Sequence, residues 1–127
     1  MPNLTLSLAE ETFAVCRLPA DLNLRPRTSR AMMLLVQAPD ETTLVCPVSE
    51  VPEEAEADRG WRCFRIEQTF DFSVPGILAS VLTPLANAGI GIFATSTFST
   101  DYILVKATDL SGAIAALTRE GHKVTGS

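Results

Sequence analysis

The chain has 127 residues, of which 46% are apolar and 20% are charged. A chain of this size and composition buries roughly two thirds of the surface that it exposes when unfolded, so disorder is excluded as its main state. Fifteen acidic and ten basic residues give a net charge of −5, a balance that argues against binding to nucleic acid. The longest apolar run, residues 31–36, is far shorter than the roughly 20 residues of a membrane-spanning helix. We therefore expect a globular protein with no nucleic-acid or membrane partner.

Residues that usually carry metal or nucleophilic chemistry are scarce. The cysteines Cys16, Cys46 and Cys63 form no Cys-x-x-Cys pair, and His122 is the only histidine. We expect buried, reduced thiols, because a reactive thiol needs a neighbouring base or a helix N-terminus to lower its pKa. The first residues also lack the basic and apolar segments of a secretory signal. These features predict a cytoplasmic protein without a metal site, a cofactor or catalytic residues.

The excess negative charge lies in the first half of the chain. Residues 1–60 carry ten acidic and five basic side chains, whereas residues 61–127 carry five of each. The densest acidic segment, residues 50–58, contains one proline and no clear apolar period, which predicts a linker or a short solvated helix. We therefore divide the chain into two predicted units, residues 1–60 and residues 61–127.

The second unit begins with the pattern of a strand followed by a helix. In residues 61–70 apolar and polar side chains alternate, as in a half-buried strand. Pro75 suits the first position of a following helix, and Gly89 suits its end. Pro84 lies inside that predicted helix and should bend its last turn. The apolar positions that recur at helical spacing are Ile77, Leu78, Val81, Leu82 and Leu85.

Two further strands, a helix and a last strand complete the second unit. These predicted elements are strands over residues 90–94 and 102–105, a helix over residues 110–117 and an edge strand over residues 122–124. The first two strands should pair antiparallel across a polar loop. Thr108 or Asp109 can cap the helix, and Gly121 can end it. The β-α-β-β-α-β order is that of the ferredoxin-like fold.

The residue pattern of the first unit predicts many strands and little helix. Residues 4–8 and 12–18 indicate two strands, and residues 32–37 with 42–45 indicate a hairpin. Residues 19–30 carry two prolines and scattered arginines, and offer at most one short helical turn. We therefore predict an α+β protein in which a ferredoxin-like unit is packed with a second, strand-rich and degenerate copy.

Three segments of the second unit share an order and spacing with a known family. They are residues 71–79 (DFSVPGILA), 85–90 (LANAGI) and 94–105 (ATSTFSTDYILV), with a weaker likeness in residues 13–18 and 44–47. Together they resemble the ACT domains, small amino-acid-binding regulatory modules of ferredoxin-like fold. The pattern is also similar to the tandem-ACT cytosolic arginine sensors and to the regulatory end of aspartate kinases. The resemblance implies a stand-alone bacterial ACT-domain protein.

The resemblance also implies where a ligand binds. In ACT domains the ligand lies at an interface between two domains, against the turn from the first strand to the first helix. In the arginine-sensor subfamily an acidic residue contacts the cationic ligand, and Asp101 matches its position. The implied ligand-binding residues are Ser73, Val74, Gly76 and Ile77 at the turn, and Ser96, Thr97, Phe98 and Asp101 in the second segment. N–H groups at a helix start favour a carboxylate, and an ionised Asp101 can accept hydrogen bonds from an ammonium or guanidinium group.

The same residues also have purely structural explanations. Pro75 and Gly76 can serve only to start a helix, and Asp101 can serve only to satisfy backbone N–H groups in an Asx turn. The Gly-Ile-Gly of residues 89–91 is not a dinucleotide motif, because it follows a helix where that motif must follow a strand. The first unit lacks a convincing first helix and glycine turn, so a site between the two halves is doubtful. We therefore expect a homodimer that meets through the second unit.

Two functions from different classes follow from this reasoning. The first is a regulatory or sensor protein that binds an amino acid at an ACT–ACT interface and has no enzymatic activity. The alternative is a non-catalytic interaction or dimerisation module in which the ligand site is vestigial. A third possibility, an enzyme that uses Asp101 or a cysteine thiolate, rests only on generic residues.

Overall fold

A computed structural model describes residues 3–21, 29, 31–70 and 73–126. The strands are β1 (Thr5–Leu18), β2 (Leu34–Gln37), β3 (Thr42–Pro47), β4 (Glu56–Ile66), β5 (Ile92–Ser96), β6 (Asp101–Lys106) and β7 (Lys123–Gly126). The helices are α1 (Ile77–Asn87) and α2 (Leu110–Arg119), and short 3₁₀ turns cover Val48–Glu50 and Ala107–Asp109. The chain divides into two compact units, of which the larger comprises Met1–Glu10 with Arg62–Ser127 and the smaller comprises Glu11–Trp61. Most of residues 19–30, where we expected at most a helical turn, lie outside the described residues.

The larger unit has the predicted β-α-β-β-α-β order, formed by β4, α1, β5, β6, α2 and β7, and the α+β ferredoxin-like class is confirmed. β5 and β6 pair antiparallel, with Ser96 opposite Asp101. β7 pairs in parallel with the start of β1, where Thr5 lies opposite Lys123. The strand order in this unit is therefore β7-β1-β4-β6-β5, so the first residues of the chain supply one of its strands.

The core of the larger unit lies between its strands and its two helices. Alternation along β1 and the residue before it places Leu4, Leu6 and Leu8 on one side, all less than a tenth exposed. Helical spacing places the buried residues of α1 and α2 on the faces that meet these strands. The other buried members of this core are Phe64, Ile66, Ile77, Val81, Leu85, Ile103, Val105, Ala113 and Leu117.

The smaller unit is built around the end of β1. β3 pairs antiparallel with both β1 and β2, with Cys16 opposite Leu44 and Leu35 also opposite Leu44. The β2–β3 hairpin confirms the one predicted for this segment, and Ala38 N–H donates to the Glu41 carbonyl at 2.9 Å to close its turn. The small buried core of this unit comprises Ala14, Cys16, Leu18, Leu44 and Cys46.

Several element boundaries differ from the sequence predictions. Residues 5–8 and 12–18 belong to one long strand, β1, because residues 9–11 continue its extended backbone. The acidic segment forms no α-helix and is only partly a linker, since a 3₁₀ turn ends at its first residue, Glu50, and β4 begins at Glu56. The unit boundary also differs, because Met1–Glu10 groups with Arg62–Ser127 rather than with the rest of the first half. Among the described residues, no helix is long and apolar enough to cross a membrane.

Candidate functional site

The start of α1 leaves backbone donors without helical acceptors. Gly76 is the N-cap residue with φ of 81°, a left-handed conformation that glycine adopts without a steric penalty. The sequence suggested Pro75 as the first residue of the helix. In the structure Pro75 lies before the N-cap residue, so this prediction is wrong. The first hydrogen bond of the helix runs from Ser80 N–H to the Gly76 carbonyl at 3.0 Å. No side chain among the described residues caps this end, so within the described part of the chain the N–H groups of Ile77 to Ala79 have no helical or side-chain acceptor.

The β5–β6 hairpin ends in a four-residue loop with its own hydrogen bonds. Thr97 N–H donates to the Thr100 carbonyl at 2.8 Å, and Thr100 N–H donates to the Thr97 hydroxyl at 3.3 Å. The Thr100 hydroxyl donates to the Ile66 carbonyl at 2.6 Å, which ties the loop to the end of β4. Phe98 lies in this loop and is 87% exposed. The loop therefore holds a large aromatic side chain toward solvent on a fixed backbone.

Asp101 stands directly opposite Ser96 where the two strands of the hairpin enter the loop. The two are register partners in the β5–β6 ladder, and the Ser96 hydroxyl donates a hydrogen bond to the Asp101 carboxylate. The predicted polar loop of residues 95–101 is thus shorter, because residues 95, 96 and 101 are in strands. The pairing orients a half-exposed carboxylate and leaves it able to accept further hydrogen bonds.

The helix start and the hairpin end enclose a half-open cavity of about 250 Å³. Seven of the eight residues that the resemblance implied line it: Val74, Gly76, Ile77, Ser96, Thr97, Phe98 and Asp101. Ser73 is exposed and does not line the cavity. The lining residues that sequence reasoning missed are Phe70, Leu78, Ala79, Ser99 and Thr100. Helical spacing from Gly76 could have indicated Ala79, whereas Phe70 reaches the cavity only through the tertiary fold.

The cavity has donors at one side and an acceptor at the other. Backbone N–H groups and the positive end of the α1 dipole are suited to a negative group of a bound molecule. Asp101 is the one ionisable side chain among the described lining residues. Its carboxylate is suited to a positive group of a bound molecule. No group of three or more histidine, cysteine or acidic residues that could hold a metal is present in the described part of the chain. The arrangement is complementary to a small molecule that carries a carboxylate and an ammonium group.

Comparison with known proteins identifies the family. A sequence model of the ACT domain matches residues 56–119, which span β4 to α2 and include both sides of the cavity. The chain belongs to the ACT domain family. The match covers half of the chain, and the cavity lies at the strand-to-helix turn of this ACT domain.

Individual relatives extend the likeness beyond the ACT match. The cytosolic arginine sensor for mTORC1 subunit 1 of Bos taurus is 33% identical over 109 residues, which cover 75% of this chain and 32% of the relative. The chain thus spans about a third of the length of the sensors it matches. A crystal structure of a protein from Agobacterium tumefaciens superposes with a TM-score of 0.91 at 31% identity, covering 98% of this chain and 94% of that one. Aspartate kinase of Clostridium acetobutylicum shares the fold, with a TM-score of 0.69, 14% identity, and coverage of 94% of this chain and 35% of that enzyme.

Proposed function

We propose that this ACT protein is a cytoplasmic, non-catalytic regulator that binds an amino acid in the cavity between α1 and the β5–β6 hairpin. The observation that carries the proposal is the opposition of the uncapped α1 start and the Asp101 carboxylate across one cavity. Membership in a family of regulatory modules, and similarity to proteins named as arginine sensors, support the same role.

The α1 start is suited to the ligand's carboxylate. The N–H groups of Ile77, Leu78 and Ala79 precede the first donor that finds a partner inside the helix. A carboxylate there accepts these hydrogen bonds and interacts favourably with the helix dipole. Gly76 presents no Cβ, so the ligand can approach the backbone closely.

The hairpin is suited to the ligand's ammonium group. Asp101 accepts a hydrogen bond from the Ser96 hydroxyl, which leaves other acceptor positions of the carboxylate for the ligand. A charge-assisted hydrogen bond to an ammonium group is about twice as strong as a neutral one. The two ends of the cavity thereby recognise the two charges of a zwitterion.

A second copy of the chain completes the site in this proposal. β5 lies at the end of the strand order in the larger unit, and residues 90–100 contain no charged residue and no proline that would protect an edge strand. The described residues include five exposed large apolar side chains, and three of them are close to this edge or the cavity. Ile92 is in β5, and Val74 and Phe98 line the cavity. An isologous dimer through the larger unit covers these side chains and closes the open side of the cavity.

Titration of the purified full chain with each of the twenty amino acids tests the proposal. A ligand present at 100 times its Kd should stabilise the folded protein by about 2.7 kcal/mol, which a thermal-shift assay resolves. Arginine is included because the similar proteins carry it in their name. Asp101→Asn should weaken binding at least tenfold, because it removes the charge that faces the ammonium group.

Asp109→Asn is the matched control, since Asp109 lies at the start of α2 and does not line the cavity. It should leave the affinity unchanged. Absence of stabilisation by every amino acid at millimolar concentration, with the fold intact, would contradict the proposal.

The alternative is an interaction module with a vestigial site, which the exposure of Phe98 and Ile92 favours. Sedimentation at tens of micromolar separates the two functions. A dimer that binds no amino acid supports the module, whereas a monomer that binds none leaves it without its main support.

A further inference from the structure

Resting on the proposed function, we infer that the ligand of this cavity is an amino acid with an uncharged, apolar side chain. The inference concerns the part of the cavity that remains after the carboxylate and ammonium groups have been placed. It is carried by the charges and the apolar walls of the lining residues.

The described lining of the cavity contains one charged side chain. Of the twelve described residues that line it, only Asp101 is ionisable, and no lysine, arginine or histidine is among those twelve. An ammonium group uses that carboxylate, so a ligand with a guanidinium or a second ammonium group brings a positive charge without a partner in the described lining. A ligand with a second carboxylate likewise meets no basic side chain. Placing an unpaired charge against such walls costs binding free energy.

Apolar side chains form much of the remaining wall. Phe70 is half-buried and packs against the core of the larger unit, where Ile77 is only 7% exposed. Val74 and Phe98 stand at the opening with 43% and 87% of their surfaces exposed. An aliphatic or aromatic ligand side chain contacts these groups and removes their surface from water, which is the favourable direction of the hydrophobic effect.

The hydroxyl groups in the lining are largely occupied by the protein. The Thr100 hydroxyl donates to the Ile66 carbonyl, the Thr97 hydroxyl donates to the Thr100 carbonyl at 3.2 Å, and the Ser96 hydroxyl donates to Asp101. They hold the hairpin in place and are poorly suited to select a polar ligand side chain. Apolar contact is therefore the remaining source of selectivity.

A ligand series measured by calorimetry on the full chain tests the inference. The series is glycine, alanine, 2-aminobutyrate, norvaline and leucine, with arginine, lysine and glutamate as charged members. Affinity should rise by up to about fourfold for each added methylene that becomes buried. Leucine should bind at least tenfold more tightly than alanine or arginine.

Phe98→Ala is a second test, and it should leave the protein folded because the Phe98 side chain is almost fully exposed. It should lower the leucine affinity by several-fold more than the alanine affinity. Val36→Ala is the control, since Val36 is 47% exposed on β2 and lies outside the cavity. It should change neither affinity.

The outcomes separate this inference from the function on which it rests. Preference for arginine, lysine or glutamate over leucine overturns the apolar assignment and leaves amino-acid binding in place. Equal affinity for alanine and leucine also overturns it. If no member of the series binds, the proposed function itself fails.

Discussion

The imidazole of His122 hydrogen-bonds to the carbonyl of Ser80, with 2.9 Å between Nε2 and the oxygen. This carbonyl would normally accept from the residue four positions later in α1, but that residue is Pro84, which has no N–H. The other ring nitrogen, Nδ1, accepts from Leu4 N–H at 3.1 Å, so the proton of the neutral ring is on Nε2 and is donated to Ser80. One buried side chain thus satisfies both the Leu4 N–H just before β1 and the helix carbonyl that a proline leaves without a donor.

We expect His122→Leu to lower the free energy of unfolding by about 2 to 4 kcal/mol. The change leaves Leu4 N–H and the Ser80 carbonyl buried without partners, and each unsatisfied group costs about 1 to 3 kcal/mol. Urea unfolding measures the loss. In a Pro84→Ala background the backbone N–H gained at position 84 can bond to the Ser80 carbonyl, so the same substitution should cost at least about 1 kcal/mol less. Equal costs in the two backgrounds would show that the Ser80 bond contributes nothing.

Gly76→Ala should destabilise the protein by about 1 to 2 kcal/mol, because φ of 81° places an alanine Cβ against the following carbonyl. Gly112→Ala is the matched control. Gly112 lies in α2, and an added Cβ would meet only Ile90 Cδ1 at an ordinary 3.7 Å. There the substitution should stabilise by up to about 1 kcal/mol through helix propensity. Thermal unfolding of both variants gives the comparison, and a shift of the same sign for both would refute this explanation.

Thr42→Val should raise the free energy of unfolding by about 1 kcal/mol. The Thr42 hydroxyl is fully buried and has no hydrogen-bond partner among the described residues, so valine of the same shape removes a desolvated polar atom. Thr100→Val should have the opposite sign, because that hydroxyl donates to the Ile66 carbonyl. Chemical denaturation of the two variants under identical conditions measures the difference. Destabilisation of similar size in both would mean that the Thr42 hydroxyl has a partner.

Cys16 should make the stability fall at alkaline pH. Burial raises the pKa of its thiol above the ordinary value of 9.0, outweighing the hydrogen bond with Cys46 and the positive charge of Arg59. Above pH 9 the unfolded chain releases the proton while the folded chain keeps it. The contribution of the protonated Cys16 thiol to the free energy of unfolding is therefore complete below pH 9. It is lost as pH rises toward the folded-state pKa, at a slope of up to about 1.4 kcal/mol per pH unit.

Urea unfolding at pH 7, 9 and 10 measures this slope. Cys16→Val lacks the thiol, so its stability should decline less steeply over the same range. Parallel pH profiles for the two proteins would contradict the assignment to Cys16.

Local sequence signals predicted most of the larger unit. Period-two alternation indicated β4, and helical spacing together with Gly89 indicated α1 and its end, where Ile90 N–H bonds to the Leu85 carbonyl. Polar residues between two β-rich runs indicated the β5–β6 hairpin. These signals succeed because the residues that determine each element lie within a few positions of one another. The glycine turn and Asp101 entered the candidate site through such motifs and through the resemblance to ACT domains.

Other features depend on residues that are distant in the sequence. Nothing near Leu4 indicates that the start of β1 pairs with β7, or that His122 contacts a residue 118 positions away. For Asp109 the local signal predicted a hydrogen bond that does not form. Asp109 occupies the N-cap position of α2 but makes no capping hydrogen bond, because a 3₁₀ turn leads directly into the helix. Phe70 likewise joins the cavity only when β4 and α1 are in place. The sequence by itself determined the element order of the larger unit and suggested Asp101 and the α1 start as a candidate site, because both depend on local patterns. The tertiary structure decided the strand neighbours, the role of His122 and the apolar wall, because these arise from long-range packing.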